Sequence, residues 1–169
     1  MKLVVDIDNQ THHNDLPGTA SIERWVENTC EHHFSASDNT IEHVEISIVI
    51  ADAETSRQLN RDYRGKDKPT NVLSFESELE PIDGMQHLGD IVICADQVQR
   101  EATEQNKVAE AHWAHLVTHG MLHLLGYDHI ADDEADIMEA LEIELLSTMG
   151  YDNPYICLLY TSPSPRDKT

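Results

Sequence analysis

Residues 118–129 read THGMLHLLGYDH and contain three histidines, His119, His123 and His129, arranged around Gly126. His119 and His123 are four residues apart, so on a helix their side chains project from the same face, one turn apart. Gly126 follows His123 at a point where a helix can end in a left-handed residue at little cost. The chain can then turn back and bring His129 to the same place. The stretch therefore predicts a helix that ends at Gly126 and carries a metal site.

The spacing of these residues, H-x-x-x-H-x-x-G-x-x-H, matches the zinc signature of metzincin peptidases except at one position. Gly120 stands where those enzymes carry the glutamate that acts as general base. Three neutral imidazoles leave the fourth position of a tetrahedral zinc ion to water, which is typical of a catalytic site. Zinc lowers the pKa of such a water to about 7 without a carboxylate base. We therefore expect one Zn²⁺ per chain, although nickel, cobalt and copper also bind three histidines.

Several polar residues near this stretch have more than one interpretation. His115 lies one turn before His119, and we expect it to support a ligand or pack against it rather than bind the metal. Asp90 and Asp128 are candidates for orienting a ligand histidine, or for capping a turn. The acidic residues of the last predicted helix, Glu142 among them, are expected to face solvent.

The rest of the sequence predicts a single α+β domain with a mixed sheet of about four strands and about five helices, one of them the metzincin-like zinc-binding helix. Alternating apolar residues from Val44 to Ile50 give the strongest strand prediction. Asp52 is expected to cap the next helix, and Gly150 to follow the last one. The predicted strands are residues 2–8, 44–50, 70–76 and 88–94, and the predicted helices are residues 21–34, 53–63, 96–105, 108–125 and 132–149.

Length and composition predict one globular domain over residues 1–156 of the 169, with 40% hydrophobic residues. Residues 157–169 contain Ser-Pro-Ser-Pro and no periodicity, so we expect a disordered or non-native tail. No stretch approaches the roughly 20 apolar residues of a membrane span, and the N-terminus has no signal-peptide core. Cys30, Cys94 and Cys157 are scattered, which fits small apolar fillers in a reducing compartment. These features predict a cytoplasmic protein without membrane contact.

The net charge of −21 disfavours general binding to nucleic acid, because like charges repel at long range. Positive charge nevertheless clusters in residues 57–68, where five basic residues against two acidic ones give a net charge of +3. Such a segment is either a solvated helix end and loop or a focused anion site. Its basic residues are Arg57, Arg61, Arg64, Lys66 and Lys68.

Several long stretches of this chain, taken together, resemble the YbeY family of bacterial endoribonucleases. HGMLHLLGYDH follows YRGKDKPTNVLSF, with LGDIVIC between them. EAHWAHLVTHG, HIADDEADIMEALE and GYDNPY extend the resemblance, which runs from about Ile46 to Tyr155. The first forty residues match only loosely.

The resemblance implies a cytoplasmic, metal-dependent endoribonuclease specific for single-stranded RNA. Such an enzyme acts in maturation of ribosomal RNA, notably at the 3′ end of the small-subunit RNA, and in ribosome quality control. It implies that His119, His123 and His129 bind zinc and that Arg64 is required for RNA cleavage. Lys66 and Lys68 are expected to hold the RNA backbone. The expected partners are RNA and the ribosome or its proteins, and not DNA.

Two other functions remain open from the sequence. One is a metzincin-like peptidase, which the missing glutamate disfavours. The other is a ribosome-assembly factor that zinc stabilises and that binds RNA or a ribosomal protein without cutting it. The charge of −21 suits contact with basic ribosomal proteins better than contact with bare RNA.

Overall fold

The computed structural model describes residues 2–35, 41–127 and 131–155, and within them the chain forms four strands and five helices. In chain order they are β1 (Lys2–Asn9), α1 (Thr19–Ser35), β2 (His43–Ala51), α2 (Ala53–Arg64), β3 (Val72–Glu76), β4 (Met85–Cys94), α3 (Ala95–Glu104), α4 (Ala109–Leu124) and α5 (Asp132–Thr148). The predicted α+β class and the number of strands and helices are confirmed.

The sheet has the strand order β1-β2-β4-β3, so β3 is an edge strand. β1, β2 and β4 are parallel to one another, and β3 is antiparallel to β4. One face of the sheet buries the alternating residues of β2 in the main core, together with apolar residues of α1 and α4. The other face forms a smaller cluster around Leu73 and Val92, against which Leu59 of α2 packs. The sheet therefore lies between α2 on one face and the α1–α4 layer on the other.

The predicted cap of α2 at Asp52 and the predicted end of α5 before Gly150 are both confirmed. The Asp52 side chain accepts a hydrogen bond from the backbone N–H of Thr55 at 2.9 Å, which caps α2. Gly150 follows α5 with a φ of +90°. β4 begins at Met85 rather than at residue 88, because residues 85–87 continue the ladder with β2 that residues 89–94 form.

Gly89 allows β3 to approach the bend in β4. Glu45 of β2 pairs with His87 and Ile46 pairs with Gly89, which leaves Leu88 as the extra residue of a bulge. Gly89 has a φ of +140°, and a Cβ atom there would overlap the carbonyl oxygen of Phe75. Only glycine fits this backbone shape and this distance.

The remaining predictions concern the C-terminal tail, the cysteines and membrane spans. The predicted tail, residues 157–169, and Cys157 lie outside the described residues, and the domain boundary at residue 156 stays a prediction. Cys30 and Cys94 are buried free thiols, as expected of apolar fillers. In the part of the chain that the structure describes, no helix is both long and apolar enough to cross a membrane.

Gly89→Ala should destabilise the protein by about 3 kcal/mol, because the Cβ atom meets the backbone of β3 and φ is unfavourable for alanine. Urea denaturation measures the change. Gly18→Ala is the control, since no atom lies within 4 Å of its added Cβ, and it should cost about 1 kcal/mol or less. Equal unfolding midpoints for the two variants would contradict the close-approach argument.

Candidate metal centre and basic groove

Helix α4 brings His119 and His123 together, as the i, i+4 spacing predicts. The Nε2 atoms of the two rings are 3.1 Å apart, and both side chains are partly buried. Two imidazole ligands at 2.0–2.1 Å from a tetrahedral ion are roughly 3.3 Å apart. The spacing of the two nitrogens therefore fits a shared metal ion.

A buried carboxylate orients His119. Oε1 of Glu142, in α5, lies 2.5 Å from Nδ1 of His119. An ionised carboxylate only accepts hydrogen bonds, so Nδ1 carries the proton and Nε2 keeps its lone pair on the side of His123. A carboxylate that holds a histidine in this tautomer is a frequent partner of metal ligands.

The expectation that Glu142 faces solvent is wrong, because its side chain is 0% exposed. Burial raises the pKa of Glu142, but hydrogen bonds from His115 and His119 outweigh this and lower it to about 2. The Tyr155 hydroxyl donates a further hydrogen bond to the same carboxylate. Burial and the charge of Glu142 raise the pKa of Tyr155, so its hydroxyl keeps the proton it donates. Glu142 is therefore an ionised, buried carboxylate with three hydrogen-bond donors.

A sequence signal for the burial of Glu142 does exist. Glu142 lies four residues after Met138 and three before Leu145, both of which are buried in the cluster between α4 and α5. Those spacings put Glu142 on the apolar stripe of α5. The many acidic residues of α5 led instead to the prediction that Glu142 faces solvent.

Two sets of residues that include His119 could bind a metal ion. In one set, His115, His119 and Glu142 each offer one atom, and these atoms all lie within 4.8 Å of one another. An ion there would replace the hydrogen bonds that now satisfy a fully buried carboxylate. In the other set, Nε2 of His119 and Nε2 of His123 bind the ion, and Glu142 remains a hydrogen-bond acceptor. The 3.1 Å nitrogen spacing and the tautomer of His119 favour the second set.

Of four other residues that the sequence predicts near the site, the structure describes two, Asp90 and His115. His129, the predicted third ligand, and Asp128 lie outside the described residues. Asp90 is exposed on β4, and the carboxylate that orients His119 is Glu142 instead. His115 contacts Glu142 through Nε2 at 3.3 Å, in keeping with the expected supporting position beside a ligand.

The packing of Gly120 explains why the metzincin glutamate is missing. A Cβ atom at this position would lie 3.1 Å from two side-chain carbons of Ile91 and 3.3 Å from Oγ of Ser74. The Ser74 hydroxyl also donates to the Gly120 carbonyl at 3.2 Å. The residue after His119 therefore points into the contact between α4 and the sheet, where a glutamate has no room.

The basic segment divides into paired and unpaired cations. Arg57 forms ion pairs with Glu54 and Asp67, and Arg61 forms one with Asp62. The remaining cations are exposed and form no ion pair with any residue of the described ranges. They are the three that the sequence singles out, Arg64, Lys66 and Lys68.

Two buried polar side chains of α2 hold the loop that carries these cations. The Asn60 amide donates to the carbonyl of Lys68 at 2.9 Å. The Ser56 hydroxyl donates to the carbonyl of Thr70 at 2.8 Å and accepts from its N–H at 3.0 Å. The loop is thereby fixed against the end of α2, with Arg64 at the point where the helix ends.

Arg64 and Glu76 are the charged residues that line a groove of about 420 Å³ between the end of α2 and the edge strand β3. Ser74 of β3 contacts α4, whereas the neighbouring Phe75 contacts Tyr63 of α2 with ring centroids 5.1 Å apart. Ser74, whose hydroxyl contacts α4 next to His119, also lines this groove, so the groove and the histidine helix share the edge strand β3.

The two sites fit a protein that can hold a metal ion and that presents unpaired cations on a nearby loop. The family profile of Endoribonuclease YbeY matches residues 6–150. The chain belongs to the YbeY endoribonuclease family, which confirms the resemblance. Membership implies a metal-dependent endoribonuclease that acts in maturation of ribosomal RNA.

The fold is also similar to that of a solved structure, the solution structure of TM1509 from Thermotoga maritima. The TM-score is 0.53 and the sequences are 24% identical, over 86% of this chain and 91% of that one. At this identity the likeness supports the fold alone.

Metal content should distinguish the two ligand sets. If His119, His123 and His129 hold the ion, His123→Ala loses most of the bound zinc, whereas His115→Gln keeps about one ion per chain. Glu142→Gln should keep the ion with roughly 10–100-fold weaker affinity. Elemental analysis after dialysis gives the content, and circular dichroism checks that each variant is folded. Zinc lost from His115→Gln but kept by His123→Ala would assign the ion to His115, His119 and Glu142.

Gly120→Ala should destabilise the protein by about 1–2 kcal/mol, because crowding against Ile91 exceeds the gain in helix propensity. Ile91→Val removes one of the two crowded carbons. The double variant should therefore lose less stability than the sum of the two single variants, as measured by urea denaturation. Strict additivity would contradict the contact.

Proposed function

We propose that this chain is a zinc-dependent endoribonuclease specific for single-stranded RNA, acting at the 3′ end of small-subunit ribosomal RNA and in ribosome quality control. The proposal makes the family's activity more specific, and ribosomal RNA as the substrate suggests the cytoplasm. The observation that supports it best is the end of α2 and the loop after it, where Arg64, Lys66 and Lys68 have no acidic partner among the described residues. A polyanion is the natural ligand of such a surface.

His119, His123 and His129 are the proposed zinc ligands. The bound ion would supply positive charge near the scissile phosphate and lower the pKa of a water molecule. Glu142 keeps the proton of His119 on Nδ1, so that Nε2 is available as a ligand atom. The 3.1 Å spacing of the His119 and His123 nitrogens supports this set.

Arg64 is the proposed catalytic residue, because cleavage of a phosphodiester builds negative charge on the non-bridging oxygens. The planar guanidinium can donate to two of these oxygens at once, which an ammonium group cannot do. Lys66 and Lys68 are proposed to contact neighbouring phosphates as point charges. The tethered loop holds all three cations at the end of α2, so little ordering is needed when RNA binds.

A second function, binding to the ribosome without cleavage, is favoured by the net charge of −21. An acidic surface suits basic ribosomal proteins, which could also deliver the RNA to a weak nuclease. The two functions are compatible with one another. A peptidase is disfavoured, since the packing around Gly120 leaves no room for the glutamate base.

Arg64→Ala should lower the rate of cleavage of a labelled single-stranded RNA by roughly 100-fold or more, with zinc content unchanged. Arg61→Ala is the matched control, because Arg61 is a cation of the same helix that already pairs with Asp62, and its effect should stay within about threefold. A duplex of the same sequence should resist the wild-type protein.

Three outcomes would count against the proposal. Equal cleavage of the duplex would contradict strand specificity, and equal losses for Arg61→Ala and Arg64→Ala would contradict a special position for Arg64. Absence of cleavage by folded, fully metallated protein would favour the ribosome-binding function.

A further inference from the structure

Tyr63 is the one aromatic residue with an exposed side chain among those that the structure describes. Its side chain is 69% exposed, whereas the described tryptophans and phenylalanines and the other described tyrosines are buried or half-buried. Exposure of a large ring has a cost, because apolar surface remains in water. Tyr63 also lies directly before Arg64 in the sequence, at the end of α2.

The ring of Tyr63 is held in place from one side. Phe75 of β3 makes an edge contact with it, with centroids 5.1 Å apart and an angle of 71° between the planes. Phe75 is itself half-buried against Leu73 and Val92 in the core on this face of the sheet. A ring that is already positioned loses little conformational freedom when a second flat group stacks on it.

Tyr63 and Arg64 line the same groove, of about 420 Å³, with residues 73–76 of β3. The volume is within the range of small-ligand sites. β3 is the edge strand, so one side of its backbone has no neighbouring strand in the sheet. The groove therefore offers an exposed ring, a guanidinium and the edge of a strand within a short distance.

We propose that Tyr63 is the stacking surface for one unpaired base of the RNA, next to the phosphate that Arg64 contacts. The inference rests on the function proposed above and names how the same site would select its substrate. An unpaired base has a free face for stacking, whereas the bases of a duplex already stack on both faces. The ring would therefore favour a single strand over a duplex.

Replacement of the ring should weaken binding of RNA, because stacking on an aromatic residue typically improves affinity for a base by roughly tenfold or more. Tyr63→Leu should raise the Kd for a single-stranded oligonucleotide by about that factor, whereas Tyr63→Phe should stay within about twofold of wild type. Val108→Ala is the matched control, since Val108 is 68% exposed at the start of α4, and it should bind as wild type does. Fluorescence anisotropy gives each Kd, and zinc content and unfolding midpoint should be unchanged.

A scan with abasic nucleotides tests the stacking itself. Removal of the base at one position of the oligonucleotide should weaken binding by wild type about tenfold and have no effect on binding by Tyr63→Leu. Equal Kd values for wild type and Tyr63→Leu, or equal sensitivity of both to every abasic position, would overturn the proposal. Binding that depends on Tyr63 without any cleavage by wild type would instead leave the stacking surface standing and contradict the nuclease function.

Discussion

The close contact between α4 and the sheet at Gly120 determines how the site is arranged. A glycine lets the helix backbone lie against Ile91 and Ser74, whereas a Cβ atom there would be crowded by both side chains at 3.1–3.3 Å. His119, the residue before Gly120, points in a different direction and contacts Glu142 of α5. The same contact sets α4 beside the edge strand β3, which also borders the basic groove. The missing metzincin glutamate is thus a requirement of packing.

The buried carboxylate of Glu142 on α5 orients His119 of α4 in the candidate metal centre. Glu142 loses all contact with solvent, and this cost is offset only because His115, His119 and Tyr155 satisfy its oxygens. The proton on Nδ1 of His119 is therefore determined by a residue 23 positions away in sequence. Since Tyr155 also contacts this carboxylate, the segment after α5 helps to hold the candidate metal centre. Stability and metal affinity should consequently be coupled in this protein.

Local patterns in the sequence predict the helices, the strands and the facing pair His119 and His123, because periodicity and i, i+4 spacing are properties of neighbouring residues. They do not predict that Glu142 is buried, since an acidic helix is usually exposed and the partner helix is distant in sequence. Nor do they predict that the groove with Arg64 and the helix with the histidines share the edge strand β3. That relation depends on the strand order, in which β3 is added beyond β4, and strand order is set by packing of the whole sheet.

A protein with a net charge of −21 can still bind an anion if its cations are arranged at short range. At physiological ionic strength the Debye length is about 8 Å, so the interaction between exposed charges that are further apart is largely screened. Acidic residues far from the groove therefore affect a bound anion less than the charged groups inside the groove do. Glu54, Asp62 and Asp67 pair with Arg57 and Arg61, so Arg64, Lys66 and Lys68 are the unpaired cations of residues 57–68, and Glu76 is the acidic residue that lines the groove with Arg64. A wide duplex would meet the acidic surface beyond that spot, whereas a single flexible strand can enter alone. In the proposed function, the acidity of the rest of the molecule would favour a single strand rather than oppose binding.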